Sequence, residues 1–105
     1  VIRFGFNQLP TSGDVMPVVL LVKANVTSYD HWRTAYDAGA SFRRKNGVSR
    51  DEVYCSPEDM TSVLVLHFFA TVEVAQSFAS NPGFAEAMRS SGVIGDAHLT
   101  IAQTV

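Results

Sequence analysis

Residues 63–70 read Val-Leu-Val-Leu-His-Phe-Phe-Ala, a run of aliphatic and aromatic side chains interrupted by one imidazole. Such residues suit the pleated, packed surface of a sheet. A short apolar run bounded by turn residues predicts a strand covered on both faces. His67 lies inside that cover, where an imidazole needs a hydrogen-bond partner or a proton to exchange. Residues 17–26, Pro-Val-Val-Leu-Leu-Val-Lys-Ala-Asn-Val, form a second such run. Alternation puts Val18, Leu20, Val22 and Ala24 on one face, and Val19, Leu21, Lys23 and Asn25 on the other. These two runs are the expected central strands.

Working outward from them, Thr27 or Ser28 caps a helix, with Asp30 completing a capping-box-like start and Gly47 ending it after about Asn46. Trp32, Ala35, Tyr36, Gly39, Ala40 and Phe42 or Arg43 recur at three- and four-residue spacing, a stripe that should lie on the sheet. Residues 48–56 alternate as another strand, and residues 57–62 turn the chain into 63–70. Thr71 caps a second helix carrying Val74, Ala75, Phe78 and Ala79, and Asn81-Pro82 restarts a short one through Met88 or Arg89. Residues 98–105 make the last strand. The order is βαββαβ, an α+β, ferredoxin-like arrangement. Right-handed crossovers put the helices on one face of a four-stranded antiparallel sheet with strands one and three central. Helices cover only one face, whereas both central strands are apolar on both. A second copy of the sheet is the simplest cover, so a homodimer is expected.

A chain of 105 residues with 47% hydrophobic content supports one core. Residues 16–105 are read as a single domain, and residues 1–15 as an N-terminal extension or an expression-derived remnant, with Ile2, Phe4 and Phe6 in edge-strand alternation. Eight basic and ten acidic residues give a net charge of −2, which argues against nucleic acid. The one dense basic patch, Arg43-Arg44-Lys45, sits where cations favour a helix C-terminus. One cysteine, Cys55, leaves no disulfide framework, and a reducing cytoplasm is the default expectation. The apolar run at 15–22 is far short of the ~20 residues that span a bilayer, so no membrane partner is expected. No His, Cys or carboxylate pair falls at ligand spacing, and no metal is expected.

From Met16 to Val105 the chain resembles the dimeric α+β barrel superfamily, in particular small proteins of the antibiotic-biosynthesis-monooxygenase type. The resemblance rests on Met-Pro-Val-Val-Leu-Leu-Val-Lys-Ala-Asn-Val in the opening strand, Tyr-Asp-His-Trp after it, the later Asn-Pro-Gly-Phe-Ala-Glu-Ala-Met, and Gly-Val-Ile-Gly near the close. It implies a homodimer whose sheets meet as a barrel, with a pocket in each subunit between helices and sheet. Members include cofactor-free oxygenases of polyketide-derived phenols and anthrones, polyketide cyclases and haem-degrading enzymes. The haem-degrading branch uses a Trp on the third strand and a His on the second helical segment, and neither is present here. The oxygenase branch lines its pocket with Asn, Trp, Tyr and Arg, for which Asn25, Trp32, Tyr36 and Arg43 are positional candidates.

Each candidate also has a plain structural role. Trp32 and Tyr36 lie one turn apart, as a wall for a planar substrate or as ordinary core. His67 is either a general base or a buried histidine bonded to a neighbour. Lys23 and Asn25 share a strand face where polar groups are costly unless paired or opening on a cavity. Arg50, Asp51 and Glu52 read as solvated charges guarding an edge strand. The resulting expectation is a cofactor-independent monooxygenase for a small hydrophobic, polyketide-type aromatic metabolite. His67 would be proton acceptor, Asn25 oxyanion donor, and Trp32, Tyr36, Lys23 and Arg43 the substrate-binding residues. A polyketide cyclase or a non-catalytic ligand-binding or assembly dimer is the alternative.

Overall fold

Strict alternation in β1 (Val18–Val26) sorts the molecule into two sides: Val18, Leu20, Val22, Ala24 and Val26 are buried, while Lys23 and Asn25 are exposed. The computed structural model describes residues 17–105; the proposed edge strand within residues 1–15 lies outside the described residues. The sheet runs β2 (Arg50–Ser56), β3 (Asp59–Phe69), β1, β4 (Val93–Gln103), all pairs antiparallel, with β1 and β3 central as expected. Between them lie α1 (Tyr29–Ala38), α2 (Ala40–Lys45), α3 (Val72–Ala79) and α4 (Pro82–Ser90).

The side chains at even positions of β1 and odd positions of β3 meet the helices. Val63, Val65, His67 and Phe69 join Leu20, Val22, Trp32, Phe78 and Phe84 in one core. Phe78 and Leu20 are fully buried, and burial of this kind is worth about 1.5–3 kcal/mol per side chain. Caps set the helix starts: Ser28 Oγ accepts from the His31 amide, Thr71 Oγ1 from Val74, and Asn81 Oδ1 from Gly83 beside Pro82 at the first helical position.

Three boundaries differ from the sequence reading. The single helix expected through Asn46 breaks at Gly39, whose amide closes on Tyr36 O at 3.0 Å. β3 begins at Asp59, because the Asp59 carboxylate accepts both the amide and the hydroxyl of Thr61 and stiffens the turn into strand. β4 begins at Val93: a register shift opposite Lys23 and Asn25 absorbs the irregular Gly95, at φ 66°, and lets Val93 pair with Val26. Among the described residues nothing covers the second face of the central strands, where Val19, Leu21, Leu64, Leu66 and Phe68 are half-buried and face away from the helices. Among the described residues no helix is long and apolar enough to cross a membrane.

Gly47, at φ 97°, ends α2, and a Cβ there would overlap Val74 Cγ1 on α3. Gly47→Ala therefore combines a left-handed backbone with a clash, and should cost about 2 kcal/mol or more. The check is a lower urea midpoint with an unchanged denaturant slope.

Candidate functional site

α1 presents Trp32 and Tyr36 one turn apart on its sheet-facing side, their rings stacked at 5.0 Å with 25° between planes. Trp32 is buried and Tyr36 half-buried. The break at Gly39 turns α2 so that Arg43 reaches back over α1. Its Nη1 donates to Tyr36 O at 2.6 Å, and its guanidinium carbon lies 3.6 Å from the centre of the Tyr36 ring. A Cβ on Gly39 would stand 3.2 Å from that Nη1, so the absence of a side chain there keeps the approach open. From the sheet, Asp51 completes the group: it accepts the Tyr36 hydroxyl and pairs with Arg43 Nε at 3.3 Å.

Asp51 is the cross-strand partner of His67. The imidazole is 2% exposed and sits among aromatic rings, 5.4 Å from Phe78, 6.1 Å from Phe84 and 6.3 Å from Tyr36 between centroids. Its Nδ1 is buried without a hydrogen-bond partner. Trp32, Tyr36, Arg43, His67, Phe84 and Met88 are among the walls of a cavity of about 70 Å³ between helices and sheet.

Burial, reinforced by the positive charge of Arg43 and only partly opposed by Asp51 and by the backbone of Leu20, lowers the His67 pKa to about 4. The imidazole is therefore neutral at physiological pH and able to accept a proton. Tyr36 moves the other way: burial first, then its hydrogen bond to Asp51, pushes its pKa well above the ordinary phenol value. Its hydroxyl is a fixed donor to Asp51.

The structure brings His67, Trp32, Tyr36 and Arg43 to one cavity. It does not bring Asn25 or Lys23 there. Directly opposed residues of an antiparallel pair share a face. Leu20 opposes His67, whereas Lys23 opposes Leu64 and Asn25 opposes Ser62. Odd positions of β1 thus project to the side without helices, which corrects the placement of Asn25 as oxyanion donor and Lys23 as substrate contact. Asp51 is not the solvated edge charge that its place on β2 suggests, since it faces the core side and holds Tyr36 and Arg43. The signal for it was parity: Asp51 is in phase with Val53 and Cys55, both packed against the core. Arg43 does lie in the last turn of α2, where a cation suits the helix dipole, but its guanidinium turns back to Tyr36 O and Asp51. Among the described residues no three His, Cys, Asp or Glu side chains gather in a way that could hold a metal ion.

No family model matches the sequence, and no curated protein matches it. Solved structures share the fold. A protein of Nitrosomonas europaea named as a candidate antibiotic biosynthesis monooxygenase aligns with a TM-score of 0.68 at 15% identity, over 92% of this chain and 96% of its own. One of the same description from Bordetella bronchiseptica gives 0.74 at 11%, over 86% and 98%. SnoaB, a cofactor-independent oxygenase from Streptomyces nogalater, gives 0.63 at 14%, over 87% and 93%. The chain thus has the ferredoxin-like α+β fold of antibiotic-biosynthesis-monooxygenase-like structures.

The titration of His67 has a stability consequence. Below about 6.5 the unfolded imidazole takes a proton that the folded one declines until about 4, so the folded state loses stability as pH falls through that window. The loss attributable to His67 is about 3 kcal/mol. It should appear as the difference in pH dependence between wild type and His67→Leu in urea unfolding; parallel curves would contradict it.

Proposed function

We propose that this chain is a cofactor-independent oxygenase for a hydrophobic, polyketide-type aromatic metabolite, with His67 as the proton acceptor. The observation that carries the reading is the buried, neutral imidazole of His67 on the wall of an aromatic cavity that Arg43 also lines. The fold likeness to SnoaB, whose name states that chemistry, supports it. A solid aromatic stripe with no void, as an assembly module would have, fits the molecule less well.

In such a reaction the substrate supplies the electrons. His67 removes a proton from an acidic C–H or O–H, and the resulting anion passes electrons to dioxygen. For an anthrone, the ring CH₂ loses both hydrogens, one oxygen atom remains on that carbon as the quinone carbonyl, and the other leaves as water. A base with so low a pKa suits only an acidic substrate. Formation of the anion beside it raises its proton affinity, as an opposite charge does. Arg43 is the cationic donor in the cavity and takes the oxyanion role first expected of Asn25. Trp32 and Tyr36 supply the stacking wall. At about 70 Å³ the void is smaller than the roughly 150 Å³ apolar cavity that admits benzene. A ring enters as flexible wall residues such as Met88 yield, and the rest of a larger ligand extends outward. A polyketide cyclase would use the same base and the same dry cavity without consuming oxygen.

The uncovered sheet face supports a homodimer. Val19, Leu21, Leu64, Leu66 and Phe68 form an apolar centre, with Lys23, Arg50, Glu52, Tyr54 and His98 around it on the same side. A second sheet packed there would hide an apolar surface that the described helices leave open. In light scattering, the wild type should show twice the mass of one chain and Leu66→Asp the mass of one.

The activity test is oxygen uptake with a simple anthrone in the absence of flavin and metal. His67→Gln should lower turnover about 100-fold while leaving the circular dichroism unchanged. Asn25→Ala should turn over like the wild type, since its side chain lies across the sheet from the cavity. Equal rates for wild type and His67→Gln would remove His67 from the chemistry, and product formed under nitrogen would turn the reading to the cyclase.

A further inference from the structure

The clasp of Tyr36, Asp51 and Arg43 has a chemical oddity. The cation closest to the cavity is already satisfied by a carboxylate of the same chain, at 3.3 Å from Nε. A guanidinium so paired stabilises a substrate anion weakly, because the net charge presented to the cavity is small. We infer that Asp51 is a positioning residue that acts as a placeholder counter-ion: it occupies Arg43 until a phenolate or enolate forms in the cavity and takes its place. The inference rests on reading the His67 cavity as the substrate site, and it narrows the substrate to one that binds or reacts as an oxyanion on an aromatic ring.

Three observations support the exchange. The Arg43 guanidinium has a second anchor that does not depend on Asp51, its bond from Nη1 to Tyr36 O, together with its seat on the Tyr36 ring. It can therefore stay in place while the carboxylate leaves. Asp51 has somewhere to go. On its far side lies a surface cleft of about 160 Å³ lined by Arg43, Arg44, Ser49 and Asp51 among others. The exposed Arg44 has no carboxylate partner among the described residues and can receive the displaced charge. Finally, the Asp51 side chain is 32% exposed against 13% for Arg43, so the carboxylate can regain water at modest cost while the guanidinium stays with the cavity.

Among the described residues one further cation approaches the clasp: the Arg33 guanidinium carbon lies 5.7 Å from the centre of the Tyr36 ring, and Arg33 pairs with Asp37 at 3.1 Å. His67 faces Tyr36 from α1, Arg43 from α2, Asp51 from β2, and Phe78 and Phe84 from α3 and α4. On the strand of Asp51, Arg50 and Glu52 pair with each other, and Arg50 stacks over Phe68 on the opposite sheet face. Arg43 is thus the cation whose availability Asp51 controls.

The probe is 4-nitrophenol, whose ionised form is read directly by absorbance, with quenching of Trp32, the single tryptophan of the chain, as a second signal. Asp51→Asn keeps a hydrogen-bond acceptor for Tyr36 but removes the competing charge. Bound nitrophenol should then ionise about one pH unit lower than in the wild type, with about tenfold tighter phenolate binding. Arg43→Gln should shift both in the opposite direction. Tyr36→Phe keeps the ring but frees Asp51 to hold Arg43 more firmly, so it should weaken phenolate binding even if Asp51→Asn fails to fold.

An Asp51 without electrostatic influence on the cavity would move none of these ionisations. Unchanged phenolate affinity in folded Asp51→Asn, or unchanged or tighter affinity in Tyr36→Phe, overturns the placeholder and leaves the cavity reading standing. No quenching of Trp32 in any of the proteins overturns both. The expected order of affinities without oxygen uptake supports the placeholder and counts against the oxygenase alone.

Discussion

The pairing of Leu20 with His67 across β1 and β3 is the constraint on which the site depends. Because side chains alternate along a strand, that one register assigns every polar residue of the central strands to a side. His67 is sent under the helices, into the space between Trp32, Tyr36, Phe78 and Phe84, and Lys23 and Asn25 are sent away from it. A shift by one residue would reverse the assignment and place a lysine in the aromatic core, at a desolvation cost that an unpaired charge cannot recover. Burial of the alternating apolar side chains therefore holds the imidazole where its basicity is suppressed.

Electrostatics and helix geometry then build the site on that base. The break at Gly39 is what aims Arg43 backward onto Tyr36; a continuous helix would carry it past the ring. Asp51, inward by the same parity as Val53 and Cys55, ties the phenol and the guanidinium to the edge of the sheet. The result is a neutral imidazole facing a phenol that donates to Asp51 and a cation paired with the same carboxylate. The cavity is mainly hydrophobic, with one proton acceptor and one source of positive charge, the minimum set that an oxyanion-forming reaction requires.

The sheet has a second side, and its composition follows from the same alternation. Half of each central strand is apolar without a helix to cover it, and the polar residues of that face lie around the apolar centre. The fold thus has two unlike sides: the helix side encloses the cavity at His67, and the other presents a flat, apolar strand surface.

Much of this was legible in the residues. The apolar runs at 17–26 and 63–70, the capping residues Ser28, Thr71 and Asn81, and the turn at Pro57 sufficed for the βαββαβ order and the central position of two strands, because periodicity and capping are local properties. The grouping of Trp32 with Tyr36 followed from helical spacing, and the importance of His67 from its presence in an apolar run. Tertiary structure alone decided which polar residues share a cavity. Asn25 lost its expected place because the face of a strand that receives the helices is set by the partner strand and the crossovers, not by the strand's own sequence. Asp51 joined Arg43, already a candidate by its position, because residues from a strand edge and from a separate helix met at Tyr36. Such meetings depend on packing over distances at which a linear pattern carries no information, and so does the unpartnered nitrogen of His67, which exists only once every neighbour is in place.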